Sequence, residues 1–334
     1  MNSFKIASFC RNLVKKILIL LVLLFCVIFI ILVTYFFKIF LINNSNIENP
    51  MFTNGELKIV MIDVGQGDSF LLLQNNKAML IDSGKFDMNN EAVKTLKEYG
   101  VQKLDYAILT HPHLDHTGGF FEIMFNYKIE HFITTNISVS GISEENVFFY
   151  FWNGILKLNN VITNNTSYAK IDGEFQNFKF SDSEVNFLAP IDDYYEKFNN
   201  YSLVIKISYK DFDILFTADM EREVEEQLLD LGINVSSDVY KAAHHGSNTS
   251  NTTEFMNEVA PKYVLISSNY ADFGHPVRKF VSYLEENNIL TYRTDEQGNV
   301  IMVTDGKNIE FNTEPGDYKY GIQLLREANN LSIE

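Results

Sequence analysis

The feature that most constrains this chain is an uninterrupted uncharged segment near its start, ILILLVLLFCVIFIILVTYFF at residues 17–37. At a rise of about 1.5 Å per residue, the segment is long enough to cross a bilayer as a helix. Arg11, Lys15 and Lys16 lie just before it. Only Lys38 follows closely, and this asymmetry favours a cytoplasmic N-terminus. We therefore predict a single-pass signal anchor in the cell membrane, with the rest of the chain outside the cell.

The remainder of the chain reads as one domain behind a short linker. Residues 43–55 are mostly polar and contain a proline, which is typical of a linker. The predicted segments are a cytoplasmic stub with the signal anchor (1–42), the linker (43–55), one folded domain (56–310) and a C-terminal tail (311–334). Cys10 and Cys26 are the only cysteines, and both precede the linker. The folded domain therefore has no thiol for catalysis, for a cysteine zinc finger or for an iron–sulfur cluster.

Charge is distributed unevenly along the chain. Before Glu48 there are five basic residues and no acidic one, so the remainder carries 22 basic against 43 acidic residues and a net charge of −21. Broad non-specific binding of nucleic acid needs a positive surface, which this composition does not provide. A bound metal ion can still supply positive charge locally.

Short apolar runs alternate with amphipathic segments through the folded domain, which indicates an α/β architecture. The predicted strands cover residues 60–63, 70–73, 106–110, 203–209, 214–217, 239–243 and 263–267, and the predicted helices cover 90–100, 221–231 and 277–287. Residues 134–183 are rich in Asn and Ser and show no clear period, so no element is predicted there.

Six of the seven histidines fall in three clusters: His111, His113 and His116; His244 and His245; and His275. The first cluster, THPHLDHTGG, directly follows a predicted strand, and α/β proteins place their sites at such strand ends. In a tight loop, alternate residues can point to one metal while the following Asp and His point to a second. Imidazole and carboxylate without thiolate suit Zn²⁺, Mn²⁺ or Fe.

The alternatives without a metal site are a solvated polar loop for the first cluster and a surface turn for the second. His275 precedes Pro276, and it can equally belong to a helix cap. Asp63 and Asp68 can simply organise turns around the neighbouring glycines.

A series of motifs around these histidines carries a family resemblance. In chain order they are DVGQGDS (63–69), IDSG (81–84), H-x-H-x-D-H (111–116), NNYSLVI (199–205), LFTAD (215–219), HHGS (244–247) and GHP (274–276). The series resembles the extracellular hydrolase domain of ComEC-type DNA-uptake proteins, over roughly residues 57–305. It is also similar to the phosphorylcholine esterases that trim teichoic acids. The resemblance implies a metallo-β-lactamase-like αβ/βα sandwich in the predicted folded domain.

The resemblance also implies two divalent metal ions, Zn²⁺ or Mn²⁺. Its motifs assign His111 and His113 to the first metal and Asp115 and His116 to the second. Asp219 matches the carboxylate that bridges the two metals.

Further roles carry over to the remaining motifs. One of His244 and His245 should bind the second metal while the other faces the substrate, with Ser247 in the same loop. Asp82 matches a carboxylate that orients the ligand loop, and three residues match the loop beside the pocket: Asp63, Gln66 and Asp68. The candidate catalytic residues are Asp115, Asp219, His245 and His275.

The chain departs from many members of the superfamily at one ligand. A further histidine usually lies between the H-x-H-x-D-H motif and the bridging aspartate, but His131 is the only histidine in that interval and it falls in a predicted strand. Asn199 and Asn200 occupy the matching region instead. Asparagine is a neutral and weaker ligand, so we expect the first metal to be held more loosely.

The leading functional prediction is a membrane-anchored, metal-dependent phosphodiesterase or nuclease outside the cell. DNA is the substrate that the resemblance implies, and a cell-wall phosphodiester such as a phosphorylcholine or teichoic-acid ester is the alternative. A third reading, from a different class, is a catalytically silent metal-binding module. No protein partner is predicted.

Overall fold

The computed structural model describes residues 55–87, 89–135 and 177–329. The predicted membrane span at 17–37 and nearly all of the linker lie outside the described residues. Among the residues that are described, no helix is both long and apolar enough to cross a membrane. The structure confirms the α/β class.

The strands of the described residues are, in chain order, β1 (Leu57–Met61), β2 (Phe70–Gln74), β3 (Lys77–Ile81), β4 (Lys103–Leu109), β5 (Lys128–Thr134), β6 (Asn177–Phe180), β7 (Ser183–Ala189), β8 (Val204–Tyr209), β9 (Phe212–Phe216), β10 (Val239–Lys241), β11 (Tyr263–Ile266), β12 (Leu290–Arg293), β13 (Val300–Thr304) and β14 (Ile309–Phe311). The α-helices are α1 (Glu91–Glu98), α2 (Leu114–Thr117), α3 (Phe120–Asn126), α4 (Arg222–Asp230), α5 (Thr253–Val259), α6 (Tyr270–Phe273), α7 (Arg278–Glu286), α8 (Thr294–Gln297) and α9 (Gly321–Ala328). Short 3-10 turns lie at Phe198–Tyr201 and Ala243–Gly246.

These strands form two mixed sheets, each with seven strands in the described part of the chain. The first sheet has the order β14-β13-β1-β2-β3-β4-β5, in which β3, β4 and β5 run parallel and the other neighbours antiparallel. The second has the order β12-β11-β10-β9-β8-β7-β6, in which β9 to β12 run parallel and the other neighbours antiparallel. Each sheet therefore has a parallel half and an antiparallel half.

The two faces of each strand are buried against different partners. In β1, Ile59 and Met61 belong to the apolar core between the sheets, where Phe70 of one sheet meets Phe216 of the other with ring centroids 5.1 Å apart. Val60 points to the opposite face and joins a core that includes apolar side chains of the helices. Strands buried on both faces are almost continuously apolar, as the short runs in the sequence are. The layers make an αβ/βα sandwich.

The helix predicted at residues 90–100 illustrates how local signals acted. Helix α1 begins after Asn90, whose side-chain oxygen accepts a hydrogen bond from the backbone N–H of Val93 at 3.1 Å. Such a cap satisfies one of the backbone N–H groups that the first turn leaves without a partner. The predicted helix is confirmed.

Sheet topology brings the chemistry-bearing loops to one edge. Strands β3 and β4 are parallel neighbours, as are β9, β10 and β11, so their carboxyl ends meet there. The loops that follow β3, β4, β9 and β10 carry Asp82, the His111 motif, Asp219 and the HHGS turn. The C-terminal residues contact this edge as well, since the backbone N–H of Gly321 donates to the carbonyl of Pro276 at 2.8 Å.

Candidate metal centre

The strand ends bring two clusters of ligand atoms together around Asp219. The first group consists of His111, His113 and Asp219, and the second group consists of Asp115, His116, Asp219 and His245. Within each group the ligand atoms all lie within 4.8 Å of one another. Residues more than 100 positions apart in the chain thus converge on one carboxylate.

The second group is the tighter of the two. His116 Nε2 and His245 Nε2 lie 3.3 and 3.4 Å from Asp219 Oδ1, and Asp115 Oδ2 lies 3.5 Å from His245 Nε2. These two ring nitrogens and Asp219 Oδ1 are buried without a hydrogen-bond partner. Since buried polar atoms are normally satisfied, three such atoms facing one another fit a bound cation. Imidazole and carboxylate are donors that Zn²⁺ and Mn²⁺ accept.

Each imidazole of the second group is held from behind. Asp82 Oδ2 lies 2.7 Å from His116 Nδ1, and Asp82 also accepts bonds from the backbone N–H and the hydroxyl of Thr110 at 2.8 and 2.7 Å. The Nδ1 of His245 lies 2.8 Å from the carbonyl oxygen of Ser267. Bonds of this kind fix the tautomer that leaves Nε2 free to bind metal. Asp82 thus lies where the sequence predicts an orienting carboxylate.

The first group contains two imidazoles that face each other, with His111 Nε2 3.1 Å from His113 Nδ1. His244 borders this group rather than the second, because its Nε2 lies 3.7 Å from Asp219 Oδ2. Asn199 borders it too: its side-chain oxygen is buried without a partner, while its amide nitrogen donates to Glu221 at 3.2 Å. The HHGS turn therefore sends its two imidazoles to different groups.

The pKa values of the imidazoles are shifted in opposite directions in the two groups. Burial raises the pKa of Asp219, but the neighbouring His245 and His116 charges outweigh burial and hold that pKa well below its ordinary range. In return, although burial lowers the pKa of His116 and of His245, the surrounding carboxylates raise both well above the ordinary value. In the first group, burial lowers the pKa of His111 and of His113. Without metal, the second group is a cluster of ion pairs and the first a pair of neutral rings.

Several non-glycine residues around the site have a left-handed backbone. They are Asp82 (φ 55°), Ala218 (φ 44°), His244 (φ 50°) and His245 (φ 56°). Conformations of this kind cost about 1–3 kcal/mol each and persist only where the surroundings enforce them. For the HHGS turn the enforcing residue is Asn251, whose side chain donates to the carbonyl of Ala243 and accepts from its N–H, both at 2.9 Å. The sequence analysis did not single out Asn251.

Two glycines allow a close approach that any side chain would block. A Cβ on Gly67 would lie 2.1 Å from the carbonyl oxygen of Asp115, and one on Gly118 would lie 1.9 Å from the backbone nitrogen of Phe86. Gly118 has an ordinary helical backbone (φ −61°), so its requirement comes from packing and not from a sharp turn.

The remaining predicted residues of the DVGQGDS loop have separate partners. Asp63 accepts from the N–H of Gly65 at 3.1 Å and closes a turn, and Gln66 accepts from the N–H of Asn269 at 3.2 Å. Asp68 instead lies behind the second group, with Oδ1 3.5 Å from His245 Nδ1. Of these three residues, Asp68 is the one that contacts the second group, whereas Asp63 and Gln66 bind the surrounding backbone.

Two predicted residues of the later motifs, Ser247 and His275, lie near His244, and Asn200 does not. Ser247 lies 3.2 Å from the hydroxyl of Thr249, which lies 3.0 Å from His244 Nδ1. The ring of His275 is 5.8 Å from that of His244, centroid to centroid, and its Nδ1 is buried without a partner. Asn200 turns away, since its amide donates to Glu223 and its oxygen accepts from the N–H of Glu221.

A buried lysine at this site was absent from the sequence predictions. The side chain of Lys241 is 1% exposed, and its Nζ lies 3.9 Å from Asp219 Oδ1. The available signal was a lysine in an otherwise apolar strand directly before the HHGS turn.

Comparison with known proteins agrees with this geometry. Residues 62–268 match the Metallo-beta-lactamase superfamily. The chain belongs to that superfamily. The match spans the strand-end loops that carry both groups, and the superfamily fold implies a divalent metal site, for which these groups supply ligands.

Two curated relatives are competence proteins. The chain is 25% identical over 266 residues to ComE operon protein 3 of Bacillus subtilis (strain 168), covering 74% of this chain and 33% of that protein. It is 30% identical over 251 residues to Competence protein ComA of Neisseria gonorrhoeae, covering 73% of this chain and 32% of that protein. The chain therefore spans about a third of the length of the curated relatives it matches. The resemblance to a superfamily hydrolase related to competence proteins is confirmed.

Among solved structures, Igni18, a metallo hydrolase from the archaeon Ignicoccus hospitalis, aligns with a TM-score of 0.48 and 15% identity. The alignment covers 74% of this chain and 98% of that one.

Proposed function

We propose that this protein is a metal-dependent phosphodiesterase that cleaves DNA outside the cell, anchored to the membrane by residues 17–37. The observation that carries the proposal is the convergence of three unpartnered buried ligand atoms, on His116, Asp219 and His245, beside the carboxylate of Asp115. Such a cluster favours an enzyme with bound metal over a silent module, which would need damaged ligands.

Bound Zn²⁺ or Mn²⁺ would supply an activated water nucleophile and neutralise charge on the phosphate. The side chain of Asp115 is 29% exposed, whereas the other side chains of the second group are buried. Beside the first group, the side chain of His244 is 24% exposed. The phosphodiester therefore approaches on the side of Asp115 and His244. Asp115 and Asp219 would orient the attacking water there, and one of the two carboxylates would accept its proton.

His275 lies next to His244 and acts on the bound phosphate. Burial, reinforced by the charges of His245 and His244, lowers the pKa of His275 to about 4. The ring is therefore neutral at pH 7, and it serves as a hydrogen-bond partner for a phosphate oxygen rather than as a proton source.

DNA is the favoured substrate because the motif series resembles that of ComEC-type DNA-uptake proteins, and one relative is named a competence protein. The net charge of −21 beyond the first 47 residues opposes a general attraction to a polyanion. Attraction to the phosphodiester is thus local and comes from the metal centre.

The test is cleavage of DNA by the full-length chain in detergent, with Mn²⁺ or Zn²⁺ and with chelator. We compare Asp115→Ala with the control Asp193→Ala. The side chain of Asp193 is exposed in the loop before the 3-10 turn at Phe198–Tyr201. Metal-dependent cleavage that Asp115→Ala abolishes and Asp193→Ala retains supports the proposal. Bound metal without DNA cleavage rejects DNA, and phosphorylcholine and teichoic-acid esters are then the substrates to assay. Absence of bound metal would reject a metal-dependent activity.

The proposed orientation has its own test. Protease added to intact cells should degrade the domain while sparing an epitope tag placed at the N-terminus. Protection of the domain would reject the extracellular location.

A further inference from the structure

Lys241 is enclosed by the fold directly behind the metal centre. It ends β10, two residues before the turn that carries His244 and His245, and its side chain is 1% exposed. Removing an ammonium group from water costs several kcal/mol unless it is paired and hydrogen-bonded. The contacts of its Nζ atom therefore show what the residue holds in place.

The first contact reaches the loop that presents Asp219. Lys241 Nζ donates to the carbonyl oxygen of Ala218 at 2.9 Å, and the hydroxyl of Thr217 donates to the carbonyl of Lys241 at 2.7 Å. Ala218 has the left-handed backbone already noted, at a φ of 44°. The lysine thus binds the strained residue immediately before the shared ligand and lies 3.9 Å from its Oδ1.

The second contact is an ion pair with Asp68, which comes from the other sheet. Asp68 touches the second group from behind: its carboxylate lies 3.5 Å from His245 Nδ1 and 4.0 Å from His116 Nδ1. Its backbone N–H also donates to the carbonyl of Asp115 at 3.3 Å. Asp68 therefore contacts three residues of the second group, and its ion pair with Lys241 links them to the loop that presents Asp219.

We propose that Lys241 is a positioning residue for the second metal. Its ammonium group holds Asp219 in place through the carbonyl of Ala218, and it keeps Asp68 behind His116 and His245. By fixing these atoms it sets the affinity of the second group for metal. The inference rests on the metal centre of the proposed function and is independent of whether the substrate is DNA.

The second sheet contains a matched control. Lys206 lies in β8 with a side chain that is 9% exposed, and its Nζ donates to the carbonyl of Ser236 at 2.7 Å and pairs with Asp213 at 3.1 Å. It thus makes the same two kinds of contact as Lys241, one with a backbone carbonyl and one with a carboxylate. Neither partner belongs to the metal centre.

The experiment measures Mn²⁺ binding to the full-length chain from the spectrum of free Mn²⁺, in a His113→Ala background that disables the first group. Lys241→Met should weaken binding by about 10- to 100-fold, the usual effect of losing a residue that supports metal ligands. Lys206→Met should bind Mn²⁺ as tightly as the background. If Lys241→Met binds Mn²⁺ within twofold of the background, the proposal is overturned and the lysine is structural only.

A second variant covers the case in which Lys241→Met does not fold. The pair Lys241→Met with Asp68→Asn removes both charges of this ion pair together, so neither is left buried without the other. We expect it to fold and still to bind Mn²⁺ at least about 10-fold more weakly, because the bond to Ala218 is gone. Tight binding by this pair overturns the proposal. Loss of Mn²⁺ binding by the wild-type chain would instead overturn the metal centre itself.

Discussion

The first and second groups share Asp219 but differ in what surrounds it. The second group has two carboxylates and two imidazoles, with Asp82, the Ser267 carbonyl and Asp68 behind the rings. In the first group two imidazoles face one carboxylate, and the other neighbours are the ring of His244 and the amide of Asn199.

The difference shows that one bridging carboxylate can serve two sites of unequal strength. Metal affinity at oxygen and nitrogen ligands rises with the anionic charge of the ligands and with the rigidity of the site. The second group has more of both, so we expect it to load first. The first group binds through neutral rings and has asparagines where many superfamily members have a further histidine ligand. We therefore expect it to bind its metal more weakly.

The largest expected effect comes from removing what the two groups share. Asp219→Ala should lose both metals and lower the proposed phosphodiesterase activity by more than about 100-fold, beyond the range for residues that only support ligands. Metal analysis of the purified chain and a cleavage assay check this, with Asp193→Ala as the control. Retention of both metals would show that Asp219 does not join the groups.

Removing one imidazole from each group should separate them. We expect His245→Ala to keep only a weakly bound metal and His113→Ala to keep a tightly bound one, because the anionic second group is intact only in the latter. Titration with Mn²⁺ gives the stoichiometry and the dissociation constants. Equal affinities in the two variants would contradict the ranking of the groups.

The neighbouring asparagines allow the first group to be strengthened. Asn199→Asp places a negative charge beside His113 and His244 and should tighten the first metal by about 10-fold, since ligand charge tunes affinity. Asn200→Asp is the matched control, because that side chain faces Glu223 and not the metal groups. Mn²⁺ titration in a His245→Ala background reads the first group alone. An equal effect of both variants would show that Asn199 has no special place at the metal.

The smallest expected effect is in the protons released by metal binding. The carboxylates around His116 and His245 raise the pKa of both rings well above the ordinary imidazole value, whereas burial lowers the pKa of His111 and of His113. Since metal binds unprotonated imidazole nitrogens, loading the second group should release more protons than loading the first. It follows that lowering the pH weakens metal binding by the second group more than metal binding by the first.

Calorimetry at pH 7 in buffers of different ionisation enthalpy counts these protons. The His113→Ala variant reports on the second group, and the His245→Ala variant reports on the first. In the His245→Ala variant, His116 is the one remaining ring whose pKa is raised. A release of no protons on loading the second group would contradict the ion-paired state described here.

The fold was predictable where local signals are strong. The apolar runs of β2, β4, β8 and β9, and the capped helix α1, lie close to their predicted positions. Besides β3, β6 and β7, the strands β12, β13 and β14 were not predicted. They are three to five residues long with alternating or mixed burial, and their sheet partners decide their conformation.

The site divides in the same way. The identities and spacing of His111, His113, Asp115 and His116 follow from the sequence alone, because a strand end and one short turn determine which atoms point outward. The HHGS motif left its ligand open, and only the turn at Ala243–Gly246, held by Asn251, places His245 in the second group and leaves His244 beside the first.

What the sequence by itself determined is the set of candidate ligands, because their chemistry and local spacing lie within a few residues of each strand end. The tertiary structure alone decided which atoms support them. Asp68 accepts from Ser267, 199 residues away, and pairs with Lys241 in the other sheet. Contacts over such separations leave no periodic signal in the chain, since they depend on how two sheets pack and not on any local preference.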